Sequence, residues 1–153
     1  MGVVVARAAL AELPWSALEV LGPSFVAYGS MVSVATRGAH AAIAHVGDAR
    51  ALRVQGRRGE WLTQDHVFGG EGPFASMLVR AVGVRDRFEI EVREITREVG
   101  DVLLLCSSDV WRAYASDELA RLVAEYGREA PQAIVGASSA RAPDRTCAVA
   151  MVS

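Results

Sequence analysis

Carboxylates beside turns have the most chemistry to offer in this chain, and three stand out. Asp48 follows Gly47, Asp109 follows the apolar run that ends at Cys106, and Asp144 precedes the apolar stretch from Cys147. Aspartates gathered in one place hold hard divalent cations such as manganese or magnesium, which take oxygen ligands. Each also has a plainer reading. Asp48 sits in a tight corner, where a carboxylate accepts backbone N–H bonds, and Asp101 after Gly100 reads as a turn residue in the same way. The histidines His40, His45 and His66 show no ligand spacing such as H-x-x-x-H. His45, within an apolar strand, is expected to be a structural histidine with its hydrogen bonds satisfied, and His66 a capping or turn residue. Cys106 to Arg112 matches the Cys-x5-Arg pattern, in which a thiolate attacks phosphorus while backbone N–H groups and an arginine hold the oxygens. The intervening residues include no glycine to let the backbone curl into such a cradle. Cys106 also ends an apolar run, which raises a thiol pKa. The match is read as coincidence, and no catalytic residue is assigned.

The elements that must carry these residues read as strands in the middle with helices at the flanks. Gly2 to Leu13, rich in alanine, valine and leucine, reads as a helix; Pro14 suits the first turn of a second one, through Trp15, Leu18 and Leu21 to Gly22-Pro23. Met31 to Thr36 and Ala41 to Val46 flank Arg37-Gly38 as a hairpin. Ala49 to Val54 runs up to a turn at Gly56 to Gly59, and Pro73 to Val82 reads as a short helix. Phe88, Ile90 and Val92 alternate with Arg87, Glu89, Glu91 and Arg93, as in a half-exposed strand. Gly100-Asp101 turns into Val102 to Leu105, a continuous apolar run typical of a buried strand. Ser116 with Asp117-Glu118 opens a helix to Gly127, another covers roughly Ala130 to Ala140, and Cys147 to Val152 is a last core strand. Trp15, Trp61 and Trp111 are read as core or core-edge residues. This order favours an α+β fold over a parallel α/β one.

Five segments, in order, resemble the PP2C-type metal-dependent protein serine/threonine phosphatases. Ala44-His45-Val46-Gly47-Asp48-Ala49-Arg50 resembles the family's A-x-V-G-D-S-R corner, and Leu62-Thr63-Gln64-Asp65-His66 its L-T-x-D-H-S. Arg80-Ala81-Val82-Gly83 resembles R-A-L-G. Gly100 to Ser107 resembles G-D-x-L-L-L-C-S, and Pro143-Asp144-Arg145-Thr146 the closing x-D-N-x-T. The resemblance implies a PP2C-like β-sandwich flanked by helices, lacking N-terminal strands and with a shortened flap, as one minimal domain over residues 1–153. In that family two divalent metals held by carboxylates activate a bridging water. Here the early D-G-M-G-G-H motif does not occur, and Ser108 stands where a ligand aspartate is expected. Asp109, reached by a one-residue slip, and Asp144 are the residual metal candidates; Asp48 matches an accessory third-metal position.

The resemblance therefore implies a phosphatase homologue that has lost most of the binuclear site, with no cofactor expected, or manganese or magnesium if residual activity exists. Its role would be binding or regulation in bacterial Ser/Thr signalling. The alternatives are a weak metal-dependent phosphatase with a remodelled site, and a structural subunit pairing through a sheet edge. The partner expected is a protein or phosphoprotein, with a homodimer possible through the uncovered edge.

Composition fits this frame. The chain has 153 residues, 52% of them hydrophobic and 22% charged, enough for one core without staples. A formal charge of −2 gives no electrostatic reason to bind nucleic acid or an anionic membrane. Every Lys+Arg position is arginine. Cys106 and Cys147 lie in apolar runs and read as buried thiols of a cytoplasmic protein. The first residues do not read as a signal peptide, and no apolar run approaches a membrane span.

Overall fold

Strand alternation decides which residues turn inward, and the register of the eight strands among the described residues follows it. The computed structural model describes residues 2–7, 29–83, 89–137 and 147–151. The strands are β1 (Gly2–Arg7), β2 (Met31–Arg37), β3 (His40–Val46), β4 (Arg50–Gln55), β5 (Arg58–Trp61), β6 (Glu91–Thr96), β7 (Val102–Cys106) and β8 (Cys147–Met151). They form two four-stranded sheets, ordered β1-β2-β3-β6 and β5-β4-β7-β8, and every pairing is antiparallel. Three helices, α1 (Ser108–Ala113), α2 (Ser116–Tyr126) and α3 (Ala130–Ala137), follow β7.

The core has two layers. Val32, Val34, Ala41 and Ile43 of the first sheet meet Ala51, Leu103 and Leu105 of the second, with Ala49 and Leu62 at one end. The other phase of the second sheet, Leu52, Val54, Leu104 and Cys106, meets Val110 of α1, Leu119, Ala120 and Val123 of α2, and Ala130 and Ile134 of α3. β7 is thus buried on both faces, which is why its sequence is apolar throughout. Each fully buried leucine there contributes roughly 1.5–3 kcal/mol from burial. Cys106 is fully buried, opposite Cys147 in the register of β7 and β8. Trp61 and Trp111 pack at the margin of the second layer.

The α+β sandwich with outer helices is as the sequence implies, but three local readings need correction. Gly2–Arg7 is not helical: it is a strand paired with β2 from Gly2↔Thr36 to Arg7↔Met31, so its valine-rich run fits a pleated ladder. The second helix expected around Trp15, and Phe88 of the alternating segment, lie outside the described residues. Pro73 to Val82 forms a turn and irregular backbone instead of a helix. Phe74, Met77 and Val79 are exposed there, so no apolar face is buried that could hold a helix in place. The alternating strand is real, but its phase is opposite to expectation. Glu91, Arg93 and Ile95 lie opposite the buried His45, Ile43 and Ala41, whereas Val92 is 62% exposed. The short helix α1 was not foreseen; it places Asp109 in its first turn and Arg112 in its last.

Candidate functional site

Three segments meet at one end of the sandwich. The β3–β4 corner carries Gly47 and Asp48. The residues after β5 join it where the Leu62 amide donates to the Ala51 carbonyl at 2.8 Å and the His66 amide to the Gly47 carbonyl at 2.9 Å. The β7–α1 junction joins it because Cys106 pairs with Arg50, and because the Trp111 indole N–H donates to the Asp48 carbonyl at 2.8 Å. Gly47 has φ +90°, and a Cβ there would lie 2.1 Å from Ser30 Oγ, so the corner closes only on glycine.

Asp48 is held on three sides. The Ser30 hydroxyl donates to Asp48 Oδ1 at 2.6 Å and accepts the Asp48 amide at 2.9 Å. Arg112 Nη2 stands 3.4 Å from Asp48 Oδ2, with the Arg112 side chain 46% exposed. Beside it, Arg50 grips Asp65 through two parallel bonds of 2.7 and 2.8 Å. The Arg50 guanidinium also lies over the Trp111 ring, 3.5 Å from its centroid. This end is therefore a network of arginines, aspartates and tryptophans that satisfies itself.

A second cluster, two buried histidines and an exposed glutamate, lies next to the same corner. His45, His66 and Glu91 bring one ligand atom each to within 4.8 Å of one another, the one such convergence of three or more histidine, cysteine or acidic side chains among the described residues. The two imidazoles lie with centroids 4.5 Å apart and planes tilted by 38°. His66 Nδ1 accepts the Gly47 amide at 3.2 Å, which places the His66 proton on Nε2, 3.1 Å from Glu91 Oε2. His45 is 1% exposed, and neither ring nitrogen makes a well-formed hydrogen bond, the Gly47 backbone being the nearest polar group that acts on it. Burial first, and then the neighbouring His66, push its pKa below 6.5, so it is neutral at pH 7. The expected satisfied histidine is thus corrected: His45 is structural in place but unsatisfied. His66 does take the capping role, on Gly47. No spacing in the sequence announces this trio, because strand register sets His45 opposite Glu91 and the β5 extension delivers His66.

The chain resembles solved phosphatases in structure. It is similar to PppA, a key regulatory component of T6SS in Pseudomonas aeruginosa, with 27% identity over 88% of this chain and a TM-score of 0.73. It is similar to the S. agalactiae serine/threonine phosphatase, with 19% identity over 80% of this chain and a TM-score of 0.70. It is also similar to the Mycobacterium tuberculosis serine/threonine phosphatase PstP/Ppp, with 18% identity over 88% of this chain and a TM-score of 0.67. This chain has the PP2C-type phosphatase fold. It spans 61%, 57% and 64% of those three chains, less than two thirds of each. No protein-family model and no curated protein matches it.

Two of the three metal candidates lie among the described residues. Asp48 lies at the β3–β4 corner in the contacts given above. Asp109 is half-buried in the first turn of α1. Asp144 lies outside the described residues; Cys147, three residues later, opens β8 opposite Cys106, at the same end. A PP2C-type relative, the catalytic domain of PstP, has been solved in complex with two manganese ions. Such a pair needs several carboxylate oxygens, because two close cations repel. Among the described residues here, the convergent donors are two histidines and one glutamate, while Asp48 and Asp65 are engaged by serine and arginine. This set does not fit a two-ion centre of hard cations.

Proposed function

We propose that this chain is a PP2C-fold protein that binds a phosphorylated protein partner without hydrolysing it, as a regulatory module in bacterial Ser/Thr signalling. The observation that carries this reading is the occupation of Asp48. Its carboxylate oxygens face the Ser30 hydroxyl and the Arg112 guanidinium, so a fixed positive charge stands where an accessory cation would be held. Ser108, a neutral hydroxyl and a poorer ligand for magnesium or manganese, takes the position the family resemblance gives to a ligand aspartate. A neutral Ser108 leaves the family pattern one carboxylate short of the oxygen ligands that hold a hard cation against its hydration.

Two features support a binding role. Arg112, about half exposed, stacks near Trp111 with 5.0 Å to the ring centroid and can offer its fork to a phosphate. The loop leaving His66 returns through the Val79 amide to the His66 carbonyl at 2.9 Å, and between them Phe68 and Phe74 are 68% and 64% exposed. Exposed aromatics beside an end that carries a half-exposed arginine are the kind of surface a protein partner covers. The similarity to a secretion-system regulatory component is in keeping with this reading.

The test has two arms. With manganese and para-nitrophenyl phosphate, turnover is expected to equal the metal-only blank, and calorimetric titration to find no pair of tightly bound ions. A fluorescent phosphoserine peptide is expected to bind, weakened about 10-fold or more in Arg112→Ala by loss of a charge-assisted contact. Manganese-dependent turnover abolished by Asp144→Ala and by chelator would establish the weak-enzyme alternative instead.

A further inference from the structure

The histidine–glutamate trio has no part in that reading, and its proton inventory is incomplete. Neutral His45 has one N–H and one lone pair, and neither makes a well-formed hydrogen bond although the residue is 1% exposed, the Gly47 backbone offering only a poorly aligned contact. A buried imidazole without well-formed hydrogen bonds is costly, and native chains retain few such groups. The neighbouring donors face it: the His66 ring at 4.5 Å between centroids, and Glu91 in register across the β3–β6 ladder. We propose that His45, His66 and Glu91 form a binding site for a borderline divalent transition metal, of which zinc is the type case. The trio brings two imidazole nitrogens and one carboxylate oxygen within 4.8 Å of one another, and one of its imidazoles is buried with neither nitrogen in a well-formed hydrogen bond.

The donor set selects the ion. Imidazole suits zinc, cobalt and nickel, whereas magnesium and manganese favour carboxylates, carbonyls and water. Two histidines and a glutamate are a known zinc set, which leaves a fourth position to water. Zinc bonds of about 2.0–2.2 Å need ligands closer together than 4.8 Å, so the site contracts on binding. Glu91, 47% exposed on its side chain, is the arm that moves and the side from which an ion enters. Binding displaces the His66 Nε2 proton now shared with Glu91. It also turns His66 Nδ1 from acceptor to donor, so the Gly47 contact at 3.2 Å must give way. The site is therefore coupled to the corner that carries Asp48.

Thermal denaturation of the metal-stripped chain with added zinc, cobalt or magnesium reads this out, and the visible spectrum of the cobalt form reports geometry. Zinc and cobalt are expected to raise the melting temperature, with cobalt giving the intense bands of a four-coordinate site; magnesium should do neither. Glu91→Gln, at a half-exposed position, should lower zinc affinity at least 10-fold without harming the fold, and His45→Leu should abolish the shift. An unchanged melting temperature with zinc overturns the site. So does a shift that survives in both variants, which would reflect exposed His40 or another surface donor. The peptide-binding assay does not enter this test, so the two proposals fail separately.

Discussion

Several polar residues of this protein have partners that sequence spacing does not reveal, although His45 is buried without a well-formed hydrogen bond. Arg93 is exposed, yet its Nη1 reaches back to donate to the Leu62 carbonyl at 3.0 Å. Asp101, read as a turn residue, is 2% exposed and bonds Arg53 Nη2 at 2.6 Å and the Glu98 amide at 2.8 Å. Burial alone raises its pKa; the Glu98 amide, Arg53 and Gln55 outweigh that and hold it below 3.8. Because the folded pKa lies beneath the unfolded one, the stabilisation is complete above about pH 4 and is lost as pH falls through the folded value. Asp101→Asn leaves the largely buried Arg53 with only the exposed Glu98 carboxylate at 3.9 Å and is expected to cost about 3 kcal/mol in urea denaturation at pH 7. The variant's stability should also depend less on pH below 4 than the wild type's.

At the scale of elements, corners and capping contacts do more than helix propensity. α2 begins without a side-chain cap of its own, and Asp117 Oδ1 instead accepts the Gly59 amide of β5 at 3.0 Å, tying helix to sheet. Gly127, φ +54°, ends that helix. The β3–β4 corner is stricter. Gly38 and Gly47 both have positive φ, but only at Gly47 would a Cβ meet atoms, those of Ser30. Gly38→Ala should cost about 1 kcal/mol from backbone strain alone. Gly47→Ala should cost at least 2–3 kcal/mol more, since it also displaces the serine clamp on Asp48. Equal losses in paired urea melts would show that the clamp contributes nothing.

For the molecule as a whole, the described sheets leave β6 and β1 as the margins of one sheet and β5 and β8 as those of the other. β6 carries Val92 at 62% exposure, and Ile90, just before it, is 46% exposed. A strand margin with exposed aliphatic residues is a template for pairing with a second chain. Self-association through β6 is the expected result, with the weight-average mass in light scattering rising with concentration. Val92→Lys, which adds a charge to that margin, should hold the mass at the monomer value across the same range. A wild-type mass that does not rise would refute the association.

The sequence by itself determined the hairpin of β2 and β3, the buried strand β7, the α2 helix and the final strand. Their apolar periods are long and bounded by Gly38, Gly100, Gly127 and similar stops. It also determined the resemblance that the solved structures bear out at the level of fold. Tertiary structure alone decided the rest. The Gly2–Arg7 segment is a strand because β2 offers it a ladder, although its composition suits a helix as well. The phase of β6 follows from partners at Leu62 and His66, up to 31 residues away, which overcome a preference worth only a few kcal/mol per side chain. The histidine–glutamate trio could not be read from spacing, since three strangers in sequence meet only where register and a corner bring them together. Asp48 was visible as a candidate, but whether its oxygens face a cation or Ser30 and Arg112 is settled by which side chains the folded corner places around it.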